Sequence, residues 1–194
     1  MKIVLSLLLF AGLSQAHGQS WELVRNEDGI RIYTASIPGR NIHQYKALTF
    51  FPTDLDHALE LVADYSANQH LFERLKHIEF LLHKRHELYI NHMIFDLPWP
   101  LQDRDMVVRT QVRQAPGEII LESDLVNGYV GLQDGMVRIT DLQERWTLRE
   151  HEDGTTVEVV GHADPGGMIP SWIANLFITR EPYNFLHGIR ERAR

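Results

Sequence analysis

Hydrophobic and polar residues change their period twice along this chain. Between Trp21 and Phe51 apolar positions alternate with polar ones, which predicts short strands at Trp21–Val24, Ile30–Tyr33 and Tyr45–Phe51. Asn26-Glu27-Asp28-Gly29 and Pro38-Gly39-Arg40-Asn41 supply the turns between them. Leu55, Ala58, Leu59, Leu61, Val62 and Tyr65 then recur at helical spacing, with Thr53 or Asp54 placed as the cap. A second helical piece is predicted over Ala67–Leu75. From Lys76 the alternation returns, through Ile78–Leu82, Leu88–Ile94, Met106–Gln111, Glu118–Val126, Val137–Arg149 and Thr155–Ala163. Asp164 to Arg192 closes the chain. Pro165, Gly166 and Gly167 stop the last strand, and Ile169, Trp172, Ile173, Leu176, Phe177, Tyr183, Leu186 and Ile189 form one apolar stripe at helix period. Pro170 suits a first helical turn, whereas Pro182 predicts a kink or short break near Arg180.

Strands, helices, strands and a final helix in that order predict an α+β domain on an antiparallel sheet. A sheet this large twists and curls, and one long amphipathic helix laid into its concave face is the simplest cover. Two connections are unusual. Asp96–Asp105 holds Leu97, Trp99 and Leu101 on a segment stiffened by Pro98 and Pro100, too long and too apolar for a hairpin turn. Asn127–Met136 combines Gly128, Gly131 and Gly135 with Tyr129, Val130 and Leu132. Such loops either plug the ends of the core or bind something.

The N-terminus reads as a leader. A short basic start at Met1-Lys2, an apolar run from Ile3 to Leu13 and the small-residue site Ser14-Gln15-Ala16 predict a cleaved signal peptide over residues 1–16 and one domain over 17–194. The expected location is periplasmic or secreted, because the chain has no cysteine to carry a lipid anchor. The missing cysteine also excludes disulfides, thiolate metal sites and cysteine nucleophiles. A formal charge of −7 argues against nucleic acid and against tight adsorption to anionic membranes, though not against a brief local contact.

Enzyme motifs are missing: there is no G-x-S-x-G, P-loop, G-x-G-x-x-G or H-E-x-x-H. Of the eleven histidines, His77 and His83 alternate with Arg85 on one strand face and His86 lies near the following turn. Solvated histidines explain them better than a metal site does. Arg104 and Asp105 follow the proline loop, either as a buried pair orienting a polar headgroup or, the reading favoured here, as anchors of a loop end. Asn91 and His92 lie on opposite faces of one strand, so one of them points inward and needs a partner. Arg109, Glu122 and Trp146 are comparable inward candidates.

Pro98–Arg109 (PWPLQDRDMVVR) and Asp164–Phe177 (DPGGMIPSWIANLF) resemble the two best-marked stretches of START domains, the steroidogenic-acute-regulatory-related lipid-transfer domains. Trp21 with Asp28-Gly29-Ile30 and Tyr33 is similar to that family's opening hairpin, and the likeness covers Ser20 to Arg194. The resemblance implies a helix-grip fold, with a lipid-sized tunnel between a curved sheet and the C-terminal helix. It implies a tunnel mouth at Asp96–Asp105 and a final helix acting as floor or lid. The expected function is binding, and transfer, of one lipid or sterol-like molecule by a monomer that needs no cofactor and can touch a membrane transiently. Leu97, Trp99, Leu101, Arg104, Asp105, Arg109, Trp146, Ile169, Trp172, Ile173, Leu176 and Phe177 are the expected tunnel and gate residues, with no catalytic or metal-binding set. The alternative is an enzyme of the same superfold, a cyclase or hydrolase, which would need clustered inward-facing polar groups in the tunnel. A third possibility is a START-like module whose tunnel has filled in.

Overall fold

The computed structural model describes residues 20–167, 169 and 171–193, and of residues 171–177 it describes the backbone alone. Three strands come first: β1 (Glu22–Glu27), β2 (Ile30–Ser36) and β3 (His43–Phe51). Two helices follow, α1 (Leu55–Ala63) and the short α2 (Tyr65–Asn68). Then come β4 (Leu75–Lys84), β5 (Leu88–Phe95), β6 (Asp103–Ala115), β7 (Glu118–Leu125), β8 (Met136–Arg138), β9 (Asp141–His151) and β10 (Gly154–Asp164), and α3 (Ser171–Arg192) ends the chain. The strands join into one open antiparallel sheet in the order β1-β2-β3-β10-β9-β7-β6-β5-β4, while β8 pairs in parallel with β6. The α+β helix-grip architecture expected from the sequence is therefore present.

Alternation explains which face is covered. In β2 Ile30 and Ile32 are fully buried while Arg31 between them is exposed. In β9 Trp146 and Leu148 are buried, and Arg145 and Arg149 point outward. The α3 helix packs on β2 and β3, and α1 packs on β7, β9, β10 and α3. Leu186 and Ile189 of α3 meet Phe51, Leu59 and Leu148 in the main core. Complete burial of side chains this size stabilises by about 1.5–3 kcal/mol each.

The structure departs from the sequence pattern in three places. The helical piece expected over Ala67–Leu75 forms only as far as Leu71. After α2 the chain makes one 3-10 turn at Gln69–Leu71, and Phe72 is already extended. Tertiary contacts override the local pattern here: the buried Asn68 amide donates to Leu61 O at 2.8 Å, and Phe72 packs on Phe185 with ring centroids 4.8 Å apart. Leu71 also abuts Gly188 so closely that a Cβ there would lie 2.3 Å from its Cδ2. The strand expected over Val137–Arg149 is two strands. Ile139 N donates to Asp105 O at 2.8 Å, which ends β8 against β6 before β9 crosses to β7 and β10. Finally, α3 runs through Pro182 without the predicted break. Pro182 lines the interior cavity.

The far end of α3 is tied to the first hairpin. The Tyr183 hydroxyl donates to Asp28 Oδ2 at 2.5 Å, and the Arg25 guanidinium stacks 3.2 Å from the Tyr183 ring centroid. This end is fixed, and the start of the helix is the end that faces the loops.

Candidate functional site

Between the sheet and α3 lies a cavity of about 270 Å³, near the small end of the ~300–1,000 Å³ typical of small-molecule sites. Its wall is mostly apolar, with Val62, Phe72, Met106, Leu121, Val159 and Phe185 among its residues. One polar band crosses it. Strand register places Tyr45 opposite Gly161, Gly161 opposite Glu144, Glu144 opposite Ser123, Ser123 opposite Thr110, and Thr110 opposite Tyr89. Residues paired in register point to the same face, so this single row spans β3, β10, β9, β7, β6 and β5 at one level of the concave side.

Two hydrogen-bonded groups make up the band. In the first, the Tyr45 hydroxyl donates across Gly161 to Glu144 Oε2, and Trp146 Nε1 donates to Glu144 Oε1 at 2.6 Å. In the second, the hydroxyls of Tyr65 and Thr110 lie 2.9 Å apart, as do those of Thr110 and Ser123. Tyr45, Tyr65, Thr110, Ser123, Glu144 and Trp146 all line the cavity.

Burial dominates the electrostatics. It pushes the Glu144 carboxyl above the usual carboxylate value, although the Tyr45 and Trp146 bonds work against it. The Tyr45 hydroxyl is raised well above the ordinary phenol value, first by burial and then by the neighbouring Glu144. Tyr65 is raised too, by burial. Glu181 of α3, also on the cavity wall, is pushed up by burial while its Oε2 accepts from Glu73 N at 3.3 Å. No cationic side chain among the described residues pairs with Glu144.

The end of the cavity beside the proline loop is organised by three consecutive residues at the start of β6. Asp103 accepts from Lys76 Nζ at 2.8 Å. Arg104 points inward, is 4% exposed, and donates from Nε to Pro165 O at 2.7 Å, from Nη2 to Gly166 O at 3.1 Å and from Nη1 to Gln102 O. It thereby pins the turn that leads into α3 to the proline loop. Asp105 points to the opposite face and is 1% exposed. It accepts from Arg138 Nε at 2.9 Å and Nη2 at 2.7 Å, and its Oδ2 lies 3.0 Å from His92 Nε2. Burial acts to raise the Asp105 carboxyl, but the Arg138 and His92 bonds outweigh it and hold it below the ordinary value. Arg138 also reaches Val130 O and Gly131 O, which fixes the glycine loop. Arg104 and Asp105 are thus loop anchors, each serving a different loop.

Leu97, Arg104, Trp146 and Ile169 line the cavity. The remaining expected residues fall elsewhere. Arg109 is on the outer face, in a bidentate pair with Asp124 at 3.0 and 2.6 Å, because its neighbours Val108 and Thr110 take the inward positions of β6. Trp99 is 92% exposed and Leu101 is half-buried off the cavity wall, so Leu97 rather than Trp99 is the proline-loop residue that lines the cavity, as Ile169 does. The side chains of Trp172, Ile173, Leu176 and Phe177 lie outside the described residues. Glu122 is on the outer face between Arg113 and Arg145. His92 faces outward to Asp105, and Asn91 is the inward member of that pair, its Oδ1 3.3 Å from His83 Nε2. Among the described residues no three His, Asp or Glu side chains converge as a metal site.

Sequence reasoning overlooked Tyr45, Tyr65, Thr110, Ser123 and Glu144. Glu144 was detectable: Leu142, Glu144, Trp146 and Leu148 alternate, so a carboxylate stands in an otherwise apolar inward set. The band as a row was not, since register depends on pairing across strands far apart in sequence.

Comparison with known proteins completes the picture. An uncharacterised protein of Pseudomonas aeruginosa is 29% identical over 192 residues, spanning 98% of this chain and 95% of its own. Human phosphatidylcholine transfer protein is 24% identical over 177 residues, spanning 87% of this chain and 81% of its own. The crystal structure of a STAR-related lipid transfer protein fragment from Xanthomonas axonopodis superimposes with a TM-score of 0.80 at 27% identity, covering 90% of this chain and 98% of that one. The START domain family matches residues 9–194, which includes the proline loop, the Arg104 anchor, the whole polar band and α3, and the chain belongs to that family.

Proposed function

We propose that the protein binds one hydrophobic ligand, a lipid or sterol-like molecule, in the cavity under α3 and carries it between membranes. The observation that carries this reading is the cavity itself, with its apolar wall and single polar band. Desolvation supplies the affinity, at about 25 cal/mol for each Å² of apolar surface removed from water, and the band supplies orientation. Family membership and the lipid-transfer descriptions of the Xanthomonas and human relatives support it. The ligand enters at the part of the cavity lined by Leu97 and Ile169, when the proline loop parts from the start of α3. The parallel pairing of β6 with β8 sets the proline and glycine loops side by side, so exposed Trp99, Tyr129 and Leu132 project from one end of the domain and suit a brief bilayer contact. We place the working protein outside the cytoplasm, as a monomer without a cofactor, after removal of residues 1–16. Native mass spectrometry of protein purified from its own host, with extraction of the bound ligand, tests the reading. One lipid per chain is the expected result, and a ligand-free protein that takes up no lipid from vesicles overturns it.

A second reading, an enzyme working on a hydrophobic substrate, is favoured by one observation: the inward polar groups cluster, and Glu144 is an enclosed acid beside Tyr45. Recovering the extracted ligand after incubation separates the two. An unchanged mass supports carriage, and a changed mass that Glu144→Gln prevents supports catalysis.

A further inference from the structure

We infer that the polar end of the ligand is a protonated amine seated against Glu144, a conclusion that rests on the cavity reading above. Glu144 is an enclosed carboxylate on the wall of an apolar cavity, and its described partners are the neutral donors Tyr45 and Trp146. Charges so placed are normally paired. The two arginines on the same wall are engaged elsewhere: Arg104 gives three N–H groups to backbone carbonyls, and Arg74 faces Asp96 at 3.7 Å. Burial favours the neutral acid, and a cationic ligand group would hold the carboxylate by bringing the counter-charge that no described side chain supplies.

The surroundings fit that cation. An ammonium group has three donors and no acceptor. The band offers it the Glu144 carboxylate and, one and two strands over, the Ser123 and Thr110 hydroxyls as acceptors. Aromatic rings flank the position: Trp146 hydrogen-bonds Glu144 and stands edge-on to Phe185 at 5.7 Å between centroids, and Tyr45 approaches from the other side. A carboxylate or phosphate at the same depth would meet Glu144 and, from α3, Glu181, both of like sign. An alcohol could use the hydroxyls but would leave the charge uncompensated.

The test uses three probes with one tail: dodecylamine, dodecanol and dodecanoic acid, each titrated into the purified protein at pH 7 below its micelle concentration. Wild type should bind the amine about tenfold tighter than the alcohol, the ratio one charge-assisted hydrogen bond supplies, and the acid weakest. In Glu144→Gln the ratio of amine to alcohol affinity should fall to about one. Tyr45→Phe keeps the carboxylate and should keep the amine preference, and the wild-type series stands even if Glu144→Gln folds poorly. Equal binding of amine and alcohol by wild type overturns the inference and leaves the cavity reading intact. An amine preference that survives in folded Glu144→Gln also overturns it. Failure of all three probes to bind overturns the cavity reading and this one with it.

Discussion

Tyr45 and Glu144 sit two strands apart and hydrogen-bond over Gly161, the residue between them in the same cross-strand row. The bond exists because Gly161 has no side chain. A Cβ there would lie 2.9 Å from Gln143 O and 3.2 Å from Glu144 Cβ.

Gly161→Ala is therefore expected to cost about 1–3 kcal/mol, as overpacking of a close site does, and to part Tyr45 from Glu144. Denaturant unfolding reads the first effect, and ligand titration alongside Tyr45→Phe reads the second. An alanine variant with wild-type stability and wild-type binding would show that the glycine is incidental.

Asp105 is buried and holds both Arg138 and His92. Asp105→Asn leaves a guanidinium without its counter-charge and is expected to lose ~3–5 kcal/mol, the scale of breaking a buried pair from one side. Hydrogen exchange should quicken around Val130 and Gly131, whose carbonyls Arg138 holds. Exchange rising evenly over the whole domain would contradict a role specific to this loop.

Arg104→Met keeps most of the volume and removes the donors to Pro165, Gly166 and Gln102. Each carbonyl left unpaired in a buried site costs about 1–3 kcal/mol. Ligand exchange between vesicles should accelerate, because the entrance to α3 is no longer pinned. A stability loss with unchanged exchange would separate the anchor from the mouth.

Trp99 is almost fully exposed, so its loss touches no core. Trp99→Ala should change stability by less than about 0.5 kcal/mol while slowing vesicle-to-vesicle transfer. Thermal unfolding and a transfer assay on the same preparation check both halves, and unimpaired transfer would remove Trp99 from the membrane contact.

Glu144 sets a pH dependence of definite sign. Its folded carboxyl titrates above the unfolded one, so between those two values the folded state holds more protons and stability falls as pH rises. Wild type should thus lose stability relative to Glu144→Gln on going from acid toward neutral pH. Asp105, held below its ordinary value, has the opposite sign but is present in both proteins and cancels in the comparison. A constant difference across that range would mean that Glu144 titrates normally.

Most of the architecture was readable in the chain because alternation and helical period act over neighbouring residues. Ile30 and Ile32, or Leu186 and Ile189, declare their face locally. What stayed hidden depends on distant partners. Ala67–Leu75 has a helical pattern, yet Asn68 and Phe72 answer to α1 and α3 instead. Arg109 looked inward only until the register of β6 was known. Arg104 and Asp105 hydrogen-bond segments that lie 61 and 33 residues further along, partners that no local pattern announces.

The polar band also works as a depth gauge. It crosses every strand from β3 to β5 at one level, so it fixes where the polar end of a ligand stops. From Thr110 in the band to Arg104 at the mouth, β6 runs six residues, about 20 Å at strand rise. On the other side of the band the cavity wall continues for one more inward row, Leu121, Trp146 and Val159. In the proposed reading, a tail that runs toward Arg104 is measured against that span: a short one leaves the proline loop free to close on the start of α3, and a long one props them apart. Ligands would then be sorted by chain length as well as by their polar end, with the strand serving as the ruler.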